Sequence, residues 1–237
     1  MRKAVIITLC AICILMPAML RAQTKEATMT DNITYFGHDT FRVVGDGVTI
    51  YTDPFALESK DKADIILITH GHRDHCSTED IAKVFTDKTV IVTVAACMEK
   101  LSGMGTVKLM KPGDKITVSG IAIEAVPAYN TNKKFHPHDN AWVGFIFTVG
   151  GKRIYLAGDT DRIPEMKGCK CDIAILPVSG TYVMTADEAV QAALDIKPKL
   201  AIPMHYGKGV VGELSDAERF RDALKGKVNV EILPITK

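Results

Sequence analysis

The sequence predicts a single α+β domain in which two β-sheets pack face to face and helices cover their outer faces. Three observations carry this prediction. Strand patterns dominate the first half of the chain, strand and helix patterns alternate in the second half, and no proline-rich, serine-rich or low-complexity linker divides them. The 237 residues, less a short apolar N-terminal segment, are an ordinary length for one large domain.

Residues 1–22 have the pattern of a secretory signal peptide. Two basic residues precede a long apolar run that contains Pro17 and is followed by small residues, and cleavage is expected after Ala22. A membrane anchor is the alternative, but the apolar run is short for a transmembrane helix. We therefore predict export to the periplasm or the extracellular space, with residues 23–237 as the mature domain and no stable membrane span.

Composition gives no general electrostatic affinity for nucleic acid. The chain has 29 basic and 28 acidic residues, and loss of residues 1–22 removes three basic ones, which leaves 26 against 28 and a net charge of −2. A small-molecule substrate is therefore expected rather than a nucleic-acid partner. The cysteines of the mature domain are too few for a disulfide framework at this length, so we expect free thiols. They are Cys76, Cys97, Cys169 and Cys171.

Strands in the first half follow apolar, β-branched runs that turn residues bound. They are predicted at 33–36, 41–44, 48–52, 64–69, 90–94, 107–110, 115–118 and 121–126. A "GDG" turn at 45–47 joins the second and third of them. Ser77 and Asp80 form a capping pattern for a helix that ends near Phe85, and a second helix is predicted near 95–102.

The second half begins with a hairpin and continues with strands and helices in turn. Gly150 and Gly151 turn the hairpin of strands 142–149 and 153–157. Later strands are predicted at 172–177, 200–203 and 228–233, and helices from Thr185 to Asp195 and from Ser215, with Glu188 and Glu218 as reciprocal caps. In such a sandwich, loops at one edge can bring distant side chains together.

The segment "DIILITHGHRDHCST" at 64–78 opens as a strand and then concentrates ionisable groups. His70, His72, Asp74 and His75 fall within six positions. Imidazole and carboxylate groups are ligands of zinc and similar ions. His70 and His72 can hold one ion while Asp74 and His75 face a neighbouring position, so the spacing predicts two metal positions. The alternative is an accidental histidine run in a solvated loop.

Two later strands end in a similar way. Asp159 follows the apolar run "IYLAG", and His205 follows "LAIPM". Taken singly, Asp159 is equally well a turn residue and His205 a capping residue. Together with the histidine cluster they predict one metal site at one edge of the sandwich.

These motifs resemble the metallo-β-lactamase superfamily. "HGHRDH" matches the HxHxDH motif of that family, and "GDTD" and "PMHYG" stand where the family has a bridging aspartate and a last histidine. The segments "GHDTFRV", "YTDPF", "AYNTNKKFHP" and "LPVSGTYVM" are similar to the branch that includes ascorbate-phosphate lactonase. The resemblance runs from about Ile33 to the C-terminus and implies an αββα four-layer sandwich, a metal centre and hydrolytic chemistry.

The resemblance also implies a role for each ligand. His70 and His72 would hold the first metal, Asp74, His75 and His205 the second, and Asp159 would bridge them. One or two divalent ions are expected, zinc first and manganese or iron as alternatives. Asp74 would also act in catalysis by orienting the attacking water.

One position departs from the family pattern. Where a further histidine of the first metal is expected, after "VPAY", this chain has Asn130. His136 is the favoured substitute and His138 the second candidate in the same loop. A weak or empty first site is another reading, and contact with substrate is another role for His136.

Three further residues are candidates for support of the centre or contact with substrate. His38 and Asp53 lie in family-like segments and could hold the metal ligands in place. The alternatives are that His38 is a surface residue and that Asp53, before a proline, only starts a turn. Tyr182 could donate a hydrogen bond to substrate or could lie half-buried on the rim.

The predicted function is that of a metal-dependent hydrolase that uses a metal-activated hydroxide on an ester, lactone or phosphodiester-type substrate. The alternative is a non-catalytic metal-binding or ligand-sensing protein on the same scaffold. Asn130 is the feature that keeps this alternative open. The sequence does not predict the natural substrate or the oligomeric state.

Overall fold

The computed structural model describes residues 29–236. The predicted signal peptide at 1–22 lies outside these described residues. Within them, thirteen strands form two sheets and three α-helices flank the sheets. Over the same range, no helix has both the length and the hydrophobicity that a membrane crossing requires.

The first sheet consists of six strands that lie side by side in chain order. They are β1 (Ile33–Gly37), β2 (Thr40–Gly45), β3 (Val48–Thr52), β4 (Ile65–Leu67), β5 (Val90–Thr93) and β6 (Thr106–Leu109). The strands from β1 to β3 pair antiparallel, and those from β3 to β6 pair parallel. Parallel pairing brings the carboxyl ends of β3 and β4 to the same edge of the sheet.

The second sheet has seven strands, which run in the spatial order β13-β12-β11-β10-β9-β8-β7. They are β7 (Lys115–Val118), β8 (Ile121–Pro127), β9 (Val143–Val149), β10 (Lys152–Leu156), β11 (Ile173–Pro177), β12 (Leu200–Met204) and β13 (Asn229–Val230). The strands from β10 to β13 pair parallel. The carboxyl ends of β10, β11 and β12 therefore share one edge of this sheet.

Three helices complete the layers. They are α1 (Thr78–Val84), α2 (Ala186–Ile196) and α3 (Leu214–Leu224). Helix α2 packs against α3 and β11, and α3 also contacts β12. Strands β9, β11 and β12 are buried at nearly every position, as expected for strands that have helices on one face and a second sheet on the other. This arrangement confirms the predicted two-sheet sandwich with outer helices.

Most predicted elements are present within a few residues of their expected bounds. Helix α2 has the predicted capping box, in which the side chains of Thr185 and Glu188 bond each other's backbone N–H groups. The four cysteines within residues 29–236 are free thiols, as expected, and of these Cys171 is half-buried and the other three are buried.

The helix predicted near 95–102 is wrong. Only Ala95–Cys97 is helical, as a single 3₁₀ turn, and the chain continues in turns as far as Gly105. Gly103 and Gly105 both have positive φ values. These glycines bound the segment only on its C-terminal side, and within it most backbone hydrogen bonds join residues three apart, so no regular α-helix forms.

The last helix begins earlier than its predicted cap. Helix α3 starts at Leu214, and the capping box is formed by Glu213 and Asp216 rather than by Ser215 and Glu218. The backbone N–H of Glu213 donates to the carboxylate of Asp216 at 2.9 Å. A carboxylate can accept at a helix N-terminus as a hydroxyl does, so the acidic pair forms the cap two residues earlier than predicted.

The last strand is shorter than predicted. Of the range 228–233, only Asn229–Val230 pairs with β12. The chain then crosses to the first sheet, where Ile235 bridges Tyr35. The C-terminal segment therefore leaves the second sheet after Val230 and pairs with the first sheet at Ile235.

Candidate metal centre

Segments that follow four strands bring imidazole and carboxylate groups to one edge of the sandwich. The loop after β4 carries His70, His72, Asp74 and His75, the loop after β8 carries His136, β10 leads to Asp159, and β12 leads to His205. Most of these side chains are buried, and only His72 and Asp74 reach solvent. The structure therefore brings together five of the six residues that were predicted as metal ligands, and it adds one of the two candidate loop histidines. The sixth, Asp74, lies on the same loop but contacts His38 instead.

His70, His72 and His136 form one group, in which a ring nitrogen of each lies within 4.8 Å of the others. Nε2 of His70 is 3.0 Å from Nδ1 of His72. The indole of Trp142 packs against the group, with centroids 4.7 Å from the His70 ring and 4.8 Å from the His72 ring. The other loop histidine, His138, has a side chain that is 68% exposed.

Asp159 lies between this group and a second pair of histidines. Its Oδ2 atom is 3.4 Å from Nε2 of His75 and 3.4 Å from Nε2 of His205. The same oxygen is 3.1 Å from Nε2 of His136 and 4.0 Å from Nε2 of His70. One carboxylate oxygen thus contacts ring nitrogens of both groups.

The outer nitrogens of the second pair are held by hydrogen bonds. Nδ1 of His75 is 2.8 Å from Oδ2 of Asp53, and Nδ1 of His205 is 2.8 Å from the Ser179 hydroxyl. Asp53 is fixed in turn, because its carboxylate accepts from the backbone N–H of Thr69 at 2.8 Å and from the Thr69 hydroxyl at 2.7 Å. A proton on Nδ1 leaves the Nε2 lone pair of each ring facing the cluster.

His136 is held in the same way by Asn130. The Asn130 side-chain oxygen accepts from the backbone N–H of His136 at 2.9 Å. Nδ1 of His136 lies 3.2 Å from that oxygen and 3.2 Å from the Tyr182 carbonyl, and since both are acceptors, Nδ1 carries the proton. The Asn130 amide nitrogen donates to Asp161 and to the Tyr182 carbonyl. Both ends of the Asn130 amide are therefore engaged in holding the loop that presents His136.

The inward-facing atoms fit a divalent metal centre. Nε2 of His75, of His136 and of His205 and Oδ1 of Asp159 are buried without hydrogen-bond partners among the described residues, whereas buried polar atoms are normally paired. The separations of 3.0–3.4 Å between facing nitrogen and oxygen atoms match the about 3.3 Å between ligands of a tetrahedral ion with bonds of about 2.0–2.1 Å. Imidazole nitrogen with carboxylate oxygen suits zinc, manganese or iron.

In the absence of a cation, the cluster balances charge among its own members. Burial lowers the pKa of His75, but the carboxylates of Asp159 and Asp53 outweigh burial and raise it well above its usual value. Burial raises the pKa of Asp159, but His75 and His205 hold it well below its usual range. A bound divalent ion would supply the positive charge in place of the histidines, because histidines that bind a metal are neutral.

Asp74 projects from the histidine loop toward solvent and is tied to a buried histidine. Its side chain is 35% exposed, and its Oδ2 atom lies 3.1 Å from Nε2 of His38. Nδ1 of His38 lies 3.4 Å from Oδ1 of Asp39, and both of these side chains are fully buried. Burial lowers the pKa of His38, but the neighbouring carboxylates of Asp39 and Asp74 outweigh burial and raise it to about 9. His38 is thus a buried partner of Asp74 rather than a surface residue.

A cleft of about 370 Å³ opens beside Asp74. Its walls are formed by Phe55, Arg73, Tyr182 and the segment 209–211. Among the residues that the structure describes, Arg73 has no hydrogen-bond or ion-pair partner. Sequence reasoning placed Tyr182 at this rim but missed Arg73, although Arg73 lies inside the HGHRDH motif. It also missed Asp39, which directly follows His38.

Two mixed sheets with flanking helices and a buried histidine–aspartate centre at one edge define the class of metallo-β-lactamase-type hydrolases. A family model described as "Beta-lactamase superfamily domain" matches residues 32–205. This range runs from the start of the first sheet to His205, so it contains every residue of the centre.

Individual relatives narrow the class. A UPF0173 metal-dependent hydrolase of Thermoplasma acidophilum is 34% identical over 218 residues, which cover 85% of this chain and 93% of the relative. The crystal structure of a candidate metal-dependent hydrolase from Parabacteroides distasonis has a TM-score of 0.76 at 39% identity, with 86% of this chain and 93% of that chain covered. A metallo hydrolase from Ignicoccus hospitalis has a TM-score of 0.69 at 26% identity, with 86% and 95% covered. The protein belongs to the UPF0173 metal-dependent hydrolase family of the metallo-β-lactamase superfamily.

Proposed function

We propose that the protein hydrolyses a small ester, lactone or phosphodiester with a water activated between two metal ions. The observation that carries this proposal is the convergence of unpartnered, buried ligand atoms beside an open cleft. A purely structural metal site is closed by protein ligands, whereas a catalytic site keeps a position open to substrate. The neighbouring cleft, with Asp74 at its edge, favours turnover.

The ligands divide between two proposed metal positions. The first takes Nε2 of His70, Nδ1 of His72 and Nε2 of His136; the second takes Nε2 of His75, Nε2 of His205 and Asp74; and Asp159 is shared between them. Zinc is the proposed ion, with manganese or iron as alternatives. The grouping of His136 with His70 and His72 supports a complete first position.

Two divalent ions held by these residues would lower the pKa of a shared water toward neutrality and neutralise charge that develops on the substrate oxygen. Asp74, with Oδ2 tied to His38, has Oδ1 left to accept a hydrogen bond from that water and so orient it. Tyr182 in the cleft wall would donate its hydroxyl proton to a substrate oxygen. The apolar surface of Phe55 and Val211 would receive the non-reacting part of the substrate.

The rival proposal of a non-catalytic metal-binding or sensing protein has lost its main support. It depended on an incomplete first metal position at Asn130. Because Asn130 instead holds His136 beside His70 and His72, the departure from the family pattern no longer implies a missing ligand.

Export is a separate part of the proposal and is supported by the basic and apolar pattern of residues 1–22. N-terminal sequencing of the protein from cell fractions tests it. A periplasmic or extracellular chain that begins at Gln23 is expected, and a cytoplasmic chain that retains residues 1–22 would contradict export.

Metal analysis followed by a substrate panel tests the proposed activity. Inductively coupled plasma mass spectrometry of the purified protein should find two divalent ions per chain, zinc first. The panel contains nitrophenyl esters, lactones, and bis(p-nitrophenyl) phosphate as the phosphodiester, each assayed with parent protein and with Asp159→Asn. Metal-dependent turnover that Asp159→Asn abolishes supports the proposal. Bound metal without turnover of any panel member favours the non-catalytic alternative, and absence of metal uptake contradicts both.

A further inference from the structure

Asp39 is a buried carboxylate that the proposed chemistry does not use. Its side chain is 0% exposed, and neither of its oxygens has a hydrogen-bond partner among residues 29–236. A buried charge without a partner is costly, so a fully buried aspartate normally serves a neighbouring cation or donor. Over the described residues, its ion-pair partner within 4.0 Å is Nδ1 of His38, at 3.4 Å.

Backbone hydrogen bonds hold His38 against Tyr206 and His205. Its backbone N–H donates to the Tyr206 carbonyl at 3.0 Å, and its carbonyl accepts from the backbone N–H of His205 at 2.9 Å. The Tyr35 hydroxyl donates to the same carbonyl at 3.0 Å. The His38 ring also packs edge-on against the rings of His75 and His205, with centroids 4.8 and 4.5 Å away. Its position is therefore coupled to the second proposed metal position.

The far side of the His38 ring reaches Asp74. Nε2 of His38 lies 3.1 Å from Oδ2 of Asp74, while Nδ1 faces Asp39. Carboxylate oxygens only accept, so Nε2 is the donor to Asp74, while Nδ1 faces Asp39 without a hydrogen bond among the described residues. Asp74 is partly exposed and has no other hydrogen bond among the described side chains, so this contact sets the direction of its carboxylate.

We propose that Asp39 and His38 are positioning residues that fix the carboxylate of Asp74 for the second metal and its water. The inference rests on the proposed function, because Asp74 is a ligand only in that proposal. Direct metal ligation is the competing assignment, since one oxygen of Asp39 lies within 4.8 Å of ligand atoms of Asp159 and His205. One ring nitrogen of His38 likewise lies within 4.8 Å of those of His75 and His205. The shorter contact to His38 favours the positioning role.

A double-mutant cycle on metal retention distinguishes the two assignments. Parent, Asp39→Asn, His38→Ala, His38→Gln and the double variant Asp39→Asn/His38→Gln are dialysed against graded EDTA, and bound metal is counted by mass spectrometry. Loss of an outer partner of a metal ligand typically lowers metal affinity by about 10–100-fold. We expect Asp39→Asn and His38→Ala to lose one of two ions at an EDTA concentration at least about tenfold below that which strips the parent.

His38→Gln is the conservative variant that separates positioning from a structural role. A glutamine amide can still donate to Asp74 but has no second ring nitrogen for Asp39 to hold. We expect it to retain more of the second metal than His38→Ala does, and we expect Asp39→Asn to cause no further loss when added to it. The visible absorption of the cobalt-substituted proteins should change in Asp39→Asn and His38→Ala, because the coordination of the second ion changes.

Asp139→Asn is a matched control, since Asp139 also follows a histidine and lies 3.5 Å from Nδ1 of His138, but both are exposed. It should retain metal as the parent does. If Asp39→Asn retains metal as the parent does, this inference is overturned while the proposed function stands. If Asp39→Asn lowers metal retention by the same factor in His38→Gln as in the parent, Asp39 is assigned directly to the metal and the inference is again overturned. A parent that binds fewer than two ions would overturn the two-metal proposal together with this inference. If Asp39→Asn fails to fold, the comparison of His38→Gln with His38→Ala still decides, because equal metal loss in both contradicts positioning through a side-chain donor.

Discussion

At the scale of single residues, hydrogen bonds outside the cluster decide which atoms face it. Asp53, Ser179 and Asn130 each occupy the Nδ1 atom of one histidine, so the Nε2 atoms of His75 and His205, and likewise that of His136, point inward. The outer partner fixes the ring orientation and the tautomer of each ligand. The properties of the centre therefore depend on residues that do not themselves reach the proposed metal positions.

Asp74→Asn should reduce turnover much more than it reduces stability. The side chain keeps its size but loses the negative charge that orients the water and holds the second metal, so kcat should fall by about 100-fold or more. Because Asp74 is partly exposed, the free energy of unfolding of the metal-free protein should change by no more than about 1–2 kcal/mol. The measurements are kcat on any panel substrate that is turned over and urea denaturation. Equal turnover in variant and parent would remove Asp74 from the mechanism.

His136→Ala should release the first metal while the second stays bound. The variant removes one of the three histidine ligands of the first proposed position, and no neighbouring side chain replaces it. Metal content after dialysis against a chelator that the parent survives should therefore fall from two ions to one. His138→Ala is the matched control in the same loop, because that side chain is exposed. If the two variants retain metal equally, His136 is not a ligand, and a raised KM with normal metal content would assign it to substrate instead.

At the scale of elements, the segments after strands must be held in place, and α1 does this for the segment after β3. The carboxylate of Asp80 accepts from the backbone N–H groups of Ala56 and Leu57, both at 2.9 Å. Lys83, one turn later in the helix, pairs with the same carboxylate at 2.8 Å. These bonds fix the segment that carries Phe55 into the cleft wall. This acidic residue in the first turn of α1 therefore also shapes the proposed substrate site.

Asp80→Ala should destabilise the protein by about 2–3 kcal/mol, because it leaves two backbone N–H groups without their charged acceptor. Glu79→Ala is the matched control, since Glu79 is the neighbouring acid of the same first turn but is exposed and makes no such bond. Urea denaturation at neutral pH measures both variants. Similar losses in the two variants would show that the acidic first turn, rather than the link to the loop, stabilises this region.

The contribution of Asp80 should also depend on pH. Burial raises the pKa of Asp80, but bonds from Lys83, the Leu57 N–H and Ser77 outweigh burial and lower it overall. A carboxyl group with a lowered folded-state pKa stabilises the fold above its unfolded-state pKa of about 3.9, and the contribution is lost as pH falls through the folded-state value. The stability difference between parent and Asp80→Ala should therefore be constant above about pH 5 and shrink below about pH 4. A difference that grows on acidification would contradict this origin.

At the scale of the whole molecule, the proposed metal centre joins the two sheets. His70 and His75 follow a strand of the first sheet, whereas Asp159 and His205 follow strands of the second. Ions bound between them would link loops that are otherwise distant in the chain. Metal binding is therefore expected to stabilise the sandwich as well as to provide reactivity.

Removal of metal should lower the melting temperature. A ligand that binds only the folded state stabilises it by about 2.7 kcal/mol when its free concentration is 100 times Kd. For a domain of this size that corresponds to a fall of about 5–10 °C on removal. Differential scanning calorimetry of the protein as isolated, after EDTA treatment and after return of zinc checks this. An unchanged melting temperature across all three samples would show that the centre contributes nothing to stability.

Much of the fold was predictable because its elements have strong local patterns. Buried parallel strands such as β4, β11 and β12 appear as continuous apolar runs, and the cap at Thr185 and Glu188 is a local pattern. The errors fall where local preference loses to another contact. The segment 95–102 has helical composition but forms only one 3₁₀ turn and is followed by glycines with left-handed backbone. The C-terminal strand is short because the residues after it cross to the first sheet.

The sequence by itself determined the ligand types and their strand-end positions, because a short motif such as HGHRDH and the apolar runs before Asp159 and His205 are local properties of the chain. Only the tertiary structure decided that His136 rather than His138 joins His70 and His72, and that Asn130 supports that histidine. It also decided that Asp39 and His38 lie behind Asp74. The physical reason is that a loop without periodicity carries no local rule for the direction of its side chains, so hydrogen bonds to residues distant in the chain set that direction.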